Sequence, residues 1–129
     1  MTKLHDGWIY HRGDIYYADL DPCRGSEQGG YRPVLVLQND AGIFYAPTLI
    51  IAPITSVFMK RADLSSHYHI GFSGGLIKDS MVLLEQMRTI DKHRIHSYVG
   101  RVSKKQMKEI DDTIRVTLKL PVYEAVEAP

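Results

Sequence analysis

The sequence predicts a mainly β protein, a small β-barrel or half-barrel with one amphipathic helix at its C-terminal end. Between positions 14 and 102, short segments rich in branched and aromatic residues alternate with Gly, Pro and Asn, a pattern typical of small barrels. From position 103 onward, the apolar residues recur at helical spacing instead. With 129 residues the chain has the size of one ordinary domain, so we expect it to form a self-sufficient core.

The strand candidates differ in how much of their surface we expect to be buried. Residues 34–37 are apolar at every position, which predicts a strand covered on both faces. Pro33 cannot donate to a ladder and belongs at the start of that strand, whereas Pro53 marks an edge, a bulge or the end of the next one. In chain order, the strand candidates are residues 14–20, 33–37, 48–55, 67–70, 81–84, 88–91 and 97–102.

A single helix is predicted after position 103. Ser103, with Gln106 three residues later, forms the capping-box pattern that starts helices, and Pro121 ends the helical pattern. We expect the apolar stripe of this helix to pack against the barrel. The stripe consists of Met107, Ile110, Ile114 and Leu118.

Composition and charge narrow the possible functions. The 16 Lys and Arg residues nearly balance the 15 Asp and Glu residues, so a polyanion would have to meet a local basic patch. The single cysteine excludes an intrachain disulfide and fits a reducing compartment. The apolar stretches are far shorter than the roughly 20 residues that span a bilayer, and no signal peptide is visible. We therefore expect a cytoplasmic protein without a membrane segment.

Six histidines raise the question of a metal site. His67 and His69 lie two residues apart on a strand candidate and so share one face, and His93 and His96 lie three residues apart. Neither pair has a third ligand at a diagnostic spacing, whereas such sites need three or four converging ligands. We therefore expect neither a metal nor another cofactor.

The glycine-rich stretch at residues 25–30 is the main candidate for a functional loop. It lacks the lysine and hydroxyl that end a phosphate-binding P-loop, and no helix follows it as a dinucleotide site requires. The loop that contains it holds about eleven residues, more than the 2 to 5 that a simple hairpin needs, and long ordered loops are more often functional. Gly29 and Gly30 supply the backbone freedom for a tight approach.

Arg32, directly after this loop, has two interpretations. It could pair with an acid such as Asp14 or Glu85 and fix the mouth of the strand. It could instead hold a preorganised, permanently charged fork for a phosphate group. Spacing alone leaves both open.

Three segments of the chain resemble a known family in their order and content. They are RGDIYYADLDPCRGSEQGGYRPVLVLQND, PTLIIAPITS and DSMVLLEQMRTIDKHRI, and they resemble the MazF/PemK family of toxin endoribonucleases. The resemblance covers residues 12–120, between an N-terminal extension (1–11) and a C-terminal tail (121–129). It implies an SH3-like barrel of the CcdB/MazF/Kid toxin type with a C-terminal helix, working as a homodimer.

The resemblance also implies an activity, partners and site residues. The activity is metal-independent, sequence-specific cleavage of single-stranded RNA, with a 2′-hydroxyl attacking to leave 2′,3′-cyclic phosphate and 5′-hydroxyl ends. The inhibitory partner is a MazE-like antitoxin with an acidic segment. The implied catalytic pair is Arg32 and Thr55. The candidate RNA contacts are Ser26, Glu27, Gln28, Lys60, Arg61, Glu85, Gln86 and Arg88.

Two rival functions fit the same fold. A CcdB-like toxin poisons gyrase by binding it and catalyses no reaction, and a plain RNA- or peptide-binding barrel would show no turnover. The gyrase poisons depend on a tryptophan near the C-terminus, but this chain ends PVYEAVEAP and its single tryptophan is Trp8. That ending, together with Arg32 and Thr55, favours the nuclease.

Overall fold

The computed structural model describes residues 2–56 and 64–121, and within these residues eight β-strands and two α-helices form. The strands match the segments predicted from the sequence, with a short additional strand at the N-terminus. The strands are β1 (Thr2–Lys3), β2 (Asp14–Asp19), β3 (Tyr31–Val36), β4 (Thr48–Ser56), β5 (His67–Gly71), β6 (Ser80–Leu83), β7 (Arg88–Asp91) and β8 (Ile95–Arg101). The helices are α1 (Asp40–Ile43) and α2 (Lys104–Leu118).

The strands pair antiparallel in the order β1-β8-β2-β3-β4-β6-β5, and β7 pairs with β4 off this path. The predicted mainly β class with a C-terminal helix is confirmed. The sheet, however, is not a closed barrel in the described part of the chain. At this point the turn Ser73–Gly75, and not another strand, packs on the backbone of β8. The contact is so close that a Cβ added to Gly100 would lie 2.1 Å from the Gly74 carbonyl oxygen.

Successive side chains of the central strands point to opposite faces of the sheet, and both faces are buried. Ile15 and Leu35 point into a core that the apolar stripe of α2 covers, with Ile110 fully buried. Tyr16 and Val34 point into a second core on the other face. Both faces of residues 34–37 are therefore covered, as predicted from their unbroken apolar run.

The N-terminal extension is docked on this second core. Thr2 pairs with Tyr98 of β8, and the indole Nε1 of Trp8 donates to the Tyr16 hydroxyl at 2.8 Å. Trp8, itself partly buried, also packs against the second core. The extension therefore adds both a strand and an aromatic residue to the fold.

The predicted helix α2 starts and ends as the sequence indicates. The Ser103 side chain accepts from the Gln106 N–H, and the Gln106 side chain accepts from the Ser103 N–H in return. The helix ends at Lys119, a left-handed residue whose N–H caps the last carbonyls. Residues 39–42 lie in and just before the single helical turn α1, which the Asn39 side chain caps. No helix in residues 2–56 or 64–121 is long and apolar enough to cross a bilayer.

Candidate active site

A cleft opens where β3 and β4 separate. Their ladder runs from Val36 to Val34, which pairs with Pro53, and beyond that point residues 54–56 of β4 pair with β6 alone. Pro53 has no N–H to donate, and the ladder with β3 ends there while β4 itself continues. Continuing the same register would place Arg32 opposite Thr55. The two implied catalytic residues therefore line the same cavity, which has a volume of about 360 Å³.

The Arg32 guanidinium bridges this cleft. Its Nε donates to the Gly29 carbonyl oxygen at 2.6 Å, and its Nη1 lies 3.3 Å from the Thr55 hydroxyl. The Gln28 amide, with its oxygen toward the guanidinium, accepts from both terminal nitrogens at 2.7 and 2.8 Å. Burial lowers the pKa of Arg32, and the nearby Asp21 raises it in part. The group stays cationic at neutral pH because its ordinary pKa is above 12.

The interpretation that Arg32 pairs with Asp14 or Glu85 is wrong. The buried Asp14 carboxylate instead accepts from Arg101 Nε at 2.7 Å, and a carboxylate oxygen of Glu85 lies 2.8 Å from His67 Nε2. Among the described residues, the hydrogen-bond acceptors of Arg32 are a carbonyl, an amide and a hydroxyl. No carboxylate in that part of the chain forms an ion pair with Arg32, although Asp21 lies close enough to raise its pKa in part, so the guanidinium can still bind an anion.

Thr55 is an unusual residue in this position because it is polar and only 5% exposed. It lies near the end of β4, whose backbone fixes its hydroxyl beside Arg32. The hydroxyl accepts from the guanidinium and keeps its own proton to donate. Together Arg32 and Thr55 present two kinds of donor to the same small space.

The glycine-rich loop folds back against its own start. Asp21 accepts from the Gly30 N–H at 2.9 Å, and the Gly30 carbonyl accepts from Leu20 at 2.9 Å. A Cβ added to Gly29 would lie 2.3 Å from the Cys23 sulfur, and Gly30 has a φ of +80°. Gly30 therefore needs the backbone freedom of glycine, as predicted, whereas the missing side chain of Gly29 leaves room for Cys23.

The described candidate RNA contacts line a second groove of about 430 Å³ together with Met87. Gln28 connects this groove to the cleft, since its N–H donates to Gln86 while its side chain faces Arg32. Arg88 Nη1 donates to the Leu20 carbonyl at 3.2 Å, so this arginine also braces the end of β2. The structure brings together Ser26, Glu27, Gln28, Glu85, Gln86 and Arg88, and the candidates Lys60 and Arg61 lie outside the described residues.

Sequence reasoning missed several residues of the cleft. Tyr17 and Tyr31 line it on the β2–β3 side, and Ser56 and Lys78 line it on the other. Lys78 comes from the connection between β5 and β6, which no local pattern places beside Arg32. Tyr31 carried a usable signal, since it directly precedes Arg32, the implied catalytic residue.

Several of the histidines lie beside carboxylates. His67 contacts Glu85, His69 contacts Asp79, and His93 lies 2.9 Å from a carboxylate oxygen of Asp91. In residues 2–56 and 64–121, no three His, Cys, Asp or Glu side chains converge as a metal site would require.

Solved structures with a similar fold include proteins described as endoribonucleases. One from a mycobacterial species, solved in complex with its cognate antitoxin, superposes with a TM-score of 0.73 at 23% identity, covering 88% of this chain and 99% of its own. The curated relatives include the endoribonuclease MazF of Staphylococcus saprophyticus, 49% identical over 113 residues (87% of this chain, 93% of that protein). They also include the endoribonuclease EndoA of Bacillus subtilis, 46% identical over 113 residues (87% of this chain, 97% of that protein).

The relatives that are 46% and 49% identical over 87% of this chain place it in the class of endoribonucleases. Residues 11–118 match the family described as PemK-like, MazF-like toxin of type II toxin-antitoxin system. The chain belongs to that family.

Proposed function

We propose that this endoribonuclease cleaves single-stranded RNA, at a short sequence motif and without a metal ion, in the cleft between Arg32 and Thr55. The observation that supports this most directly is the geometry of the pair. A cationic guanidinium without a carboxylate partner among the described residues lies 3.3 Å from a nearly buried hydroxyl. Both groups are held by strands that separate at this point, so the donors are preorganised for a phosphate.

RNA supplies its own nucleophile for this reaction. The 2′-hydroxyl attacks the adjacent phosphorus, the bond to the 5′-oxygen breaks, and a 2′,3′-cyclic phosphate and a 5′-hydroxyl result. Negative charge grows on the non-bridging oxygens, and Arg32 and Thr55 donate hydrogen bonds to them. Arg32 is too weak a base to accept the 2′ proton. We propose that a carboxylate of the adjoining groove, Glu27 or Glu85, accepts the 2′ proton, and that the departing 5′-oxygen takes up a proton from water.

The adjoining groove is suited to reading bases. Unstacked bases of single-stranded RNA are recognised on their edges by polar side chains and backbone groups. Gln28, Glu85 and Gln86 offer amide and carboxylate groups there, and Ser26 and Glu27 line the loop side. We propose that this groove, with Lys60 and Arg61, selects the cleaved sequence.

A MazE-like antitoxin is the proposed inhibitory partner. The mycobacterial structure contains a cognate antitoxin, and an acidic segment of such a protein would compete with RNA for Arg32. We further propose that the chain works as a homodimer and acts in the cytoplasm, where messenger RNA is available. The endoribonuclease relatives favour this function over the gyrase-binding alternative, which shares the fold but not the activity.

Cleavage of a long single-stranded RNA in EDTA tests the proposal. We expect cuts at one short recurring motif, with 5′-hydroxyl ends, at a rate that EDTA leaves unchanged. The RNA ends should be mapped with and without added Mg²⁺. Absence of cuts by folded protein over a broad set of RNAs, or activity that EDTA abolishes and Mg²⁺ restores, would contradict it.

Lys78 offers a test of how the cleft binds phosphate. It is exposed and lines the same cavity as Arg32, so Lys78→Met should raise the KM for RNA and change kcat little. Losing one phosphate contact should also reduce the slope of log affinity against log salt by about 1. Lys108→Met on the exposed side of α2 is the matched control. An unchanged salt slope with Lys78→Met would contradict the contact.

A further inference from the structure

Three aromatic rings lie side by side on neighbouring strands at the rim of the cleft. Tyr31, at the start of β3, is stacked on Tyr17 of β2 with ring centroids 5.4 Å apart and planes 14° apart. The ring of His96 on β8 meets Tyr31 edge-on, with centroids 4.9 Å apart and planes at 73°. Tyr17 and Tyr31 line the same cavity as Arg32 and Thr55. The rings are therefore close to the proposed reaction centre.

Tyr31 is exposed in spite of these contacts. It is 54% exposed, whereas Val34, three residues further along the same strand, is completely buried. An aromatic ring that stacks on a parallel ring and is still exposed to solvent offers a surface on which another ring can stack. Neither core needs Tyr31, because it belongs to neither buried cluster.

The backbone of β8 places the third ring. Tyr17 pairs with Ser97 and Ala18 pairs with Ile95, so His96 is the extra residue of a β-bulge. Bulges turn a side chain out of the regular alternation and often lie next to active sites. Here the bulge brings the His96 ring against Tyr31, which limits the positions that the Tyr31 ring can adopt.

We propose that Tyr31, supported by Tyr17 and His96, is a subsite for a nucleobase next to the scissile phosphate. The inference rests on the proposed RNA cleavage. A stacked base would fix the adjacent phosphate relative to Arg32, because base and phosphate belong to the same nucleotide or its neighbour. Since every base has a π-face, this subsite adds affinity and position without selecting a base, and selection is left to the polar groove.

The probe is a short RNA that contains the mapped cleavage motif. The attacking 2′-hydroxyl is replaced by 2′-O-methyl, and 2-aminopurine stands on either side of the scissile phosphate in two separate oligonucleotides. Binding and fluorescence quenching are measured for the wild type, Tyr31→Leu and Tyr31→Phe. Tyr45→Leu is the matched control, since Tyr45 is 88% exposed, contacts Phe44 edge-on and does not line the cleft.

Tyr31→Leu should weaken binding by about tenfold and remove the quenching in one of the two oligonucleotides. Tyr31→Phe should keep both, because the ring and not the hydroxyl does the stacking, and Tyr45→Leu should behave as wild type. Binding and quenching by Tyr31→Leu at wild-type level would overturn the subsite, as would an equal loss in Tyr31→Phe.

Cleavage of the unmodified RNA by wild type is followed in parallel, which separates the two proposals. If the wild type cleaves and Tyr31→Leu still binds and quenches normally, the subsite alone is wrong. If the folded wild type neither binds nor cleaves RNA, the proposed function and the subsite both fail. A loss in Tyr31→Leu that is confined to inhibition by an acidic antitoxin peptide would assign the rings to that partner and overturn the nucleobase subsite.

Discussion

Arg32→Ala should lower the rate of RNA cleavage by about 100- to 1000-fold, the usual effect of removing one preorganised donor from a developing oxyanion. The loss should appear in kcat, because the contact strengthens as charge grows on the phosphate. Single-turnover cleavage of an RNA that contains the mapped motif measures it directly. The same preparation should keep a wild-type melting temperature within a few degrees.

The contacts of the Arg32 guanidinium explain why a lysine at this position should not restore RNA cleavage. The guanidinium contacts Thr55 on β4 and the Gln28 amide on the loop at the same time, and its Nε is bonded to Gly29. A lysine ammonium is a single point charge that cannot keep this planar set of donors. Arg32→Lys should therefore recover little of the lost rate, although it restores the charge.

Two controls distinguish lost chemistry from lost structure. Arg115→Ala removes an arginine whose partner is Asp112 one helical turn away on the surface of α2, and it should cleave as wild type. The loop beside Arg32 keeps its own contacts, among them those of Gly30 with Asp21 and Leu20. Wild-type cleavage by folded Arg32→Ala would show that the reaction takes place elsewhere.

The strands and the main helix follow from local chemistry, and for that reason the sequence predicts them well. Residues 34–37 are apolar without interruption and are indeed covered on both faces. Ser103 and Gln106 form the reciprocal cap that their spacing indicates. Such features depend on neighbours within a few residues, which the sequence displays directly.

The cleft depends on long-range pairing, which local patterns do not reveal. Pro53 was expected to mark an edge, a bulge or an end, but the structure shows that only the ladder to β3 ends there. Strand β4 goes on to Ser56 with a different partner, and that change of partner creates the cavity. The presence of Lys78 and Tyr17 in the cavity follows from this topology. The number of predicted strands likewise does not show whether the barrel closes.

Asp14, one of the two acids suggested as a partner for Arg32, forms a different set of hydrogen bonds. Asp14 is 1% exposed, and its carboxylate accepts from the Tyr16 hydroxyl at 2.6 Å and from the His11 N–H at 2.8 Å. It also accepts from Arg101, whose pKa rises chiefly through this hydrogen bond. Burial first, and the bond to Asp14 next, raise the pKa of the Tyr16 hydroxyl. Local sequence patterns do not reveal this network, because Arg101 is distant in sequence and reaches Asp14 only through the pairing of β2 with β8.

Asp14→Asn should lower the free energy of unfolding by about 2 to 3 kcal/mol, because it removes a buried charge that satisfies several donors. The loss should be below that of a fully buried ion pair, since the Arg101 side chain is 52% exposed and can reach water. The melting temperature should fall by roughly 10 °C. Asp112→Asn, which breaks the exposed pair with Arg115, should change stability by less than about 0.5 kcal/mol.

The fluorescence of Trp8 shows which part of the protein this carboxylate stabilises. Trp8 is the single tryptophan, and its indole N–H donates to the same Tyr16 hydroxyl that donates to Asp14. In the wild type, denaturation followed by fluorescence and by far-ultraviolet circular dichroism should coincide. In Asp14→Asn, the fluorescence transition should come first, because the docking of the N-terminal segment depends on an oriented Tyr16 hydroxyl. Coincident and unshifted transitions in Asp14→Asn would show that the aromatic packing of Trp8 against Tyr16 and Tyr98 holds the segment without the carboxylate.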